Sequence, residues 1–175
     1  MKITKLFLLG IAALLFSCSD DEAPLPTADG MIGVWNVTAV DYSGTSTTTF
    51  EGQTMKATFT GKGKEMDYTT TFSSSPNTVV SQGSYVIELK TTMAGQTTTE
   101  DYEFEDAFVD GNWELDGRTL TVTNGSETQE ATITKQTATN LEVRVDIDQT
   151  ETDPDLGYTI TQKVKAVYKL ERANP

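Results

Sequence analysis

From Tyr158 to Leu170 the chain alternates without a break. Tyr158, Ile160, Gln162, Val164, Ala166, Tyr168 and Leu170 fall on one side, and Thr159, Thr161, Lys163, Lys165, Val167 and Lys169 on the other. A repeat of two puts every second side chain on one face of a strand, whereas a helix needs a repeat near 3.6. Only one face can be buried, so the segment belongs in an antiparallel sheet with a core behind it and water in front. The pattern returns at Leu141, Val143, Val145 and Ile147 against Glu142, Arg144, Asp146 and Asp148. It returns again at Tyr85, Ile87 and Leu89, and at Tyr102 and Phe104, the last pair opposed by Asp101, Glu103 and Glu105.

The first half obeys the same rule. Trp35, Val37 and Ala39 are predicted to share an inward face, as are Met55, Ala57 and Phe59; Gly61-Lys62-Gly63 reads as a turn into Met66, Tyr68, Thr70 and Phe72. Asp116-Gly117 suits a tight hairpin between Trp113-Leu115 and Leu120-Val122, and Asn124-Gly125 suits another before Ala131 and Ile133. About one residue in six is threonine, a strand former, and no helical period runs beyond two turns. Eight to ten short-connected strands, each with one apolar face, predict an all-β fold: an antiparallel up-and-down barrel, in which closure removes exposed edges.

The N-terminal end is of another kind. Lys2 and Lys5 precede an apolar run from Leu6 to Phe16, then Ser17 and Cys18, the only cysteine. Positive charge, a short apolar core and a small residue make a secretory signal, and the run is too short to span a bilayer. Leu15-Phe16-Ser17-Cys18 resembles a bacterial lipobox. That resemblance implies cleavage after residue 17 and a lipid on Cys18, which then holds the protein to the membrane. Ser19-Asp20-Asp21-Glu22 is similar to the export signal of Bacteroidetes-type surface lipoproteins, which implies a lipid-anchored, surface-exposed position on the outer membrane. With Pro24 and Pro26 it reads as an extended, acidic tether. The expected organisation is a signal peptide over 1–17, a lipidated cysteine and tether over 18–30, and a barrel domain over 31–175.

Gly33-Val34-Trp35, at the start of the first strand, resembles the Gly-x-Trp signature of lipocalins. Gly111-Asn112-Trp113-Glu114-Leu115-Asp116-Gly117-Arg118-Thr119-Leu120-Thr121-Val122 and the ending Ala166-Val167-Tyr168-Lys169-Leu170-Glu171-Arg172 look like the lipocalin-like domains of Bacteroidetes lipoproteins. The likeness implies a lipocalin-like barrel whose closed end is covered by Trp35 beneath Arg172, and Arg172 does continue the inward register of Tyr168 and Leu170.

Composition removes several chemistries. There is no histidine, and the lone cysteine is assigned to lipid, so disulfides, zinc sites and histidine bases are not expected. The net charge of −13, or −15 without Lys2 and Lys5, repels nucleic acid. Asp146, Asp148, Glu151, Asp153 and Asp155 lack the spacing of a calcium loop, so no metal is expected. No serine sits in a Gly-x-Ser-x-Gly setting. A non-enzyme without a cofactor is expected.

The inward register collects Trp35, Phe59, Tyr68, Phe72, Tyr85, Tyr102, Phe104, Tyr158 and Tyr168, with Thr70 and Gln162 as polar members. Each buried phenol requires a hydrogen-bond partner. Tyr68, Phe72, Tyr85, Tyr102, Tyr158 and Gln162 are therefore candidates to line a site for a small apolar or amphipathic molecule inside the barrel. The alternative is a barrel packed solid that docks a partner protein or glycan in an outer-membrane complex. The interior separates the two: a lumen of ~300 Å³ or more favours a ligand, and a dense one favours docking.

Overall fold

The alternation becomes nine antiparallel strands. A computed structural model, which describes residues 24–105, 110–153 and 155–173, gives β1 (Gly33–Phe50), β2 (Gln53–Ser73), β3 (Thr78–Met93), β4 (Gln96–Phe104), β5 (Gly111–Asp116), β6 (Thr119–Asn124), β7 (Glu127–Gln136), β8 (Asn140–Asp153) and β9 (Tyr158–Arg172). A single helical turn, α1 (Ala28–Met31), precedes them. Consecutive strands pair except β4 and β5, β9 returns to β1, and β3 also meets β5. The sheet thus closes into an up-and-down barrel, with β4 attached to the flank of β3.

The wall is uneven because the strands differ in length. β1, β2, β3, β8 and β9 have 14 to 21 residues, while β5 and β6 have six each. β5 reaches β3 only at Thr78↔Asn112 and Val79↔Gly111. β7 follows β8 only as far as Thr132↔Arg144. Above those pairs a tall wall of β8, β9, β1, β2, β3 and β4 continues alone, open on one side.

The core fills the short, closed part. Trp35, Val37, Val40, Tyr68, Phe72, Val79, Tyr85, Ile87, Trp113, Leu120, Val122, Ile133, Leu141, Val143, Tyr168 and Leu170 are all buried. Two local expectations change here. The register of β1 shifts between Val37 and Ala39, so Val40, not Ala39, is the next fully buried residue. Gly61-Lys62-Gly63 is not a turn but the middle of the 21-residue β2. A Cβ at Gly61 would lie 2.6 Å from Ile87 Cγ2 and 3.3 Å from Tyr42 Cβ, so this glycine makes room for its neighbours across the sheet.

The end of the expected tether is also part of the fold. Thr27 caps α1, its N–H donates to Gln136 Oε1 at 2.8 Å, and Gln136 Nε2 donates to its carbonyl at 3.1 Å. Pro26 is buried, and Arg118 Nη2 donates to Pro24 O at 3.4 Å. Residues 24–30 are therefore held against the base, because the open bottom of a barrel offers carbonyls and apolar surface that a short segment can cover. Residues 1–23, with Cys18, lie outside the described residues.

Candidate functional site

Trp35 stands at the base of the lumen, fully buried, and its indole N–H donates to Met31 O at 2.8 Å. The Arg172 guanidinium lies over it, 4.2 Å from the ring centroid. That guanidinium also donates to Ile32 O, Gly30 O and Ala138 O at 2.7 to 2.8 Å. One cation thus satisfies three carbonyls that no strand can reach and sits on an electron-rich face. Trp35 and Arg172 close this end together with Met31, which is fully buried.

Higher in the lumen, aromatic rings and hydroxyls satisfy one another. Tyr68 and Tyr85 meet edge to face at 5.6 Å, and Phe72 and Trp113 likewise at 5.7 Å. The Tyr85 and Tyr168 hydroxyls hydrogen-bond each other; burial first, and then this neighbour, push the Tyr85 pKa far up, and burial raises that of Tyr168. Thr70, fully buried, bonds Ser81 Oγ at 3.2 Å, and Trp113 Nε1 donates to Ser73 O. Among the described residues no buried side-chain nitrogen or oxygen lacks a partner. The phenols at Tyr68 and Tyr85 are thus core members whose polar needs are met inside the protein.

The six candidate ligand residues are not brought together. Tyr68, Phe72 and Tyr85 are buried in the lower lumen, whereas Tyr102 lies on β4 at 44 % exposure. Tyr158 and Gln162 are half-buried near the top of β9, where Tyr158 faces Phe50 and Asp153 and Gln162 accepts from Gln149 Nε2. What separates them is wall height. At the level of Tyr102 and Tyr158 the short hairpins have ended, so inward register there no longer means burial.

No protein-family model, curated protein or solved structure matches this chain. The functional argument therefore rests on the surface itself.

That upper inner face carries large apolar side chains among polar ones such as Thr48, Gln53, Glu100 and Gln149. Phe50, Met55, Met93, Tyr102, Phe104 and Ile147 are all exposed, and the pairings Phe50↔Tyr158, Thr48↔Met55, Ala57↔Met93, Ile87↔Tyr102, Tyr85↔Phe104 and Ile147↔Val164 put them in register with the core. Tyr42 stacks on Phe59 and Phe104 on Tyr85, tying this face to the barrel below. Phe50 and Met93 escape a reading of alternation because Thr- and Gly-rich stretches surround them. The signal that marks them is a pair of two-residue turns, Glu51-Gly52 and Ala94-Gly95, with positive φ at all four residues.

The opposite face of the same wall is hydroxylated. Thr152, Thr159, Thr49 and Thr54 stand in one row across four strands, and Thr150, Thr161 and Thr47 in the next. Neighbouring hydroxyls bond at 3.1 to 3.3 Å. A cavity of about 390 Å³ lies on this outer face, among Asp41, Lys62, Glu88, Lys90 and Lys165. Its mixed charges are matched in part by the Lys169–Asp41 and Lys90–Glu88 pairs, each at 3.8 Å. The acidic β8–β9 loop is a capped turn, with Asp153 Oδ1 accepting from the amides of Asp155 and Leu156. No group of three or more acidic, histidine or cysteine side chains among the described residues could hold a metal.

Proposed function

We propose that this protein is a non-catalytic, lipid-anchored component of the cell envelope, a packed barrel that serves as a scaffold and docks a macromolecular partner on its tall wall. The observation that carries this reading is the contrast between the two ends of one face. Below, the lumen is filled by Trp35, Tyr68, Tyr85 and Trp113 with their polar atoms paired. Above, a row of large apolar side chains in the same register meets water. Exposed apolar side chains grouped on one face support an interaction site, and large buried rings with their polar atoms paired favour a packed lower lumen over a ligand site. The lipocalin-like resemblance spans about Met31 to Arg172 and implies a barrel whose closed end is formed by Trp35 beneath Arg172.

Geometry also orients the protein if Cys18 carries lipid. Pro24 touches the closed end through Arg118, and the six residues from Cys18 to Ala23 span at most about 20 Å. The closed end would then face the membrane, and the apolar wall would point away from it toward partners. No helix among the described residues is long and apolar enough to cross a membrane.

Native mass spectrometry of protein purified from its own host tests the docking reading. The mass of the lipidated chain alone is the expected result; a stoichiometric small molecule retained by the folded protein overturns it. Separately, Cys18→Ser is expected to move the protein from membrane to soluble fractions. Continued sedimentation with membranes would show that lipid is not the anchor.

A further inference from the structure

The tall wall ends in a strand with a free side. Among the described residues β4 pairs with β3 alone, from Met93↔Gln96 to Tyr85↔Phe104, with no register shift. All of its nine residues are exposed. The strand that follows β3 around the ring, β5, meets β3 only at Thr78 and Val79, below β4, so that among the described residues no strand pairs with the outer edge of β4. Such an edge offers a row of unpaired amide and carbonyl groups to any extended chain. Proteins commonly blunt long edges with a bulge, proline, lysine or an inward-pointing charge; of these β4 has only the last, Glu100, whose carboxylate accepts from the Tyr102 hydroxyl at 2.6 Å.

We propose that the free edge of β4 receives an extended segment of a partner protein as an added strand, with apolar side chains alternating with Lys or Arg. This rests on the docking reading above and names its place and chemistry. Two sets of side chains define the occupant. Tyr102 and Phe104, 44 % and 37 % exposed, lie on the inner face with Glu100, whose carboxylate is held by the Tyr102 hydroxyl at 2.6 Å, and the next strand's inward residues would cover the two rings. Asp101 and Glu103 lie on the outer face beside Glu105, and among the described residues only Asp101 has an ion-pair partner, Lys64. Added outward residues would face these carboxylates, so they must be basic. A second copy of this chain fits badly, because every charge on β4 is negative and two such edges would set like charges across from each other.

The fold already contains one pairing of this kind. The outer face of β8 carries Asp146 and Asp148; its neighbour β9 answers with Lys165 and Lys163 outside and Val164 and Ala166 inside. Lys163 Nζ reaches Asp148 Oδ2 at 2.6 Å. An acidic strand of this barrel is thus completed by a strand that alternates lysine with apolar residues, and β4 is the acidic strand left uncompleted.

A blocked decapeptide of alternating lysine and valine is the probe, and a peptide of the same composition with all lysines before all valines is its control. With the full-length protein in detergent, the alternating peptide is expected to slow amide hydrogen exchange over 96–104. It should bind at least tenfold tighter than the control. Asp101→Lys combined with Glu103→Lys is expected to weaken binding at least tenfold, and Tyr102→Ser several-fold, each with an unchanged far-ultraviolet spectrum. Equal binding of the two peptides, or protection that falls outside 96–104, overturns the proposal. If this occurs while native mass spectrometry still finds no small molecule, the edge assignment fails and the docking reading stands; a retained small molecule instead removes the docking reading itself.

Discussion

Trp35→Ala is expected to destabilise the fold by roughly 3–5 kcal/mol, the range for removing a large aromatic from a packed interior. The indole is fully buried and donates to Met31 O, so truncation leaves both a cavity and an unpaired carbonyl. It also removes the face on which the Arg172 guanidinium lies, while that cation stays bound to three carbonyls. Because Met31 and the segment back to Pro24 rest on this corner, the damage should spread to the closed end. The checks are a melting temperature lowered by about 10 °C and faster hydrogen exchange at residues 24–32 than at β8. A shift of only a degree or two would mean that the base of the barrel is held mainly by other contacts.

Alkaline pH should unfold the protein cooperatively. Burial holds the phenols of Tyr85, Tyr168 and Tyr42 above their ordinary value near 10. Below pH 10 both folded and unfolded chains keep these protons, so the stabilisation is fully present. Above it the unfolded chain releases them while the folded chain cannot, and stability falls as pH rises toward the folded-state values. For Tyr85, 2 % exposed, each pH unit above 10 costs about 1.4 kcal/mol. Phenolate absorbance and far-ultraviolet circular dichroism, followed together, check this. Part of the absorbance from the six tyrosines is expected to appear only as the strand signal is lost. Ionisation of all six by pH 10.5 with the strand signal intact would show that water reaches the lumen and that the interior is not packed.

Both expectations depend on a lumen whose polar groups are partnered from within. A phenol that lacks a partner invites water or a ligand, and five inward tyrosines raised that prospect in the sequence. The hydroxyl pair of Tyr85 and Tyr168 answers part of that demand, and Tyr102, bonded to Glu100 at 2.6 Å, is not in the lumen at all.

Much of the architecture is a local property and was legible residue by residue. Alternation in the Tyr158–Leu170 stretch dictates a strand with one wet face, because backbone geometry alone sends successive side chains to opposite sides. The two hairpins expected at Asp116-Gly117 and Asn124-Gly125 are present one residue on, with Gly117-Arg118 and Gly125-Ser126 as the turn residues and each glycine at positive φ. Arg172 over Trp35 was implied by the lipocalin-like resemblance, with the inward register of Tyr168 and Leu170 pointing to this arginine. Three other features depend on partners distant in sequence and could not be read locally. Gly61 looks like a turn until Tyr42 and Ile87 are seen to occupy its space. A register shift at Thr38 turns Val40 inward. Tyr102 and Phe104 share the inward register of Tyr85 and yet meet solvent, because burial is decided by the strand across the ring, and β5, β6 and β7 are too short to reach them. Within an unbroken stretch the residues alone set which side chains share a face; the closed sheet, with its register shift near Thr38 and its unequal walls, decided which of those faces lead into a core and which into water.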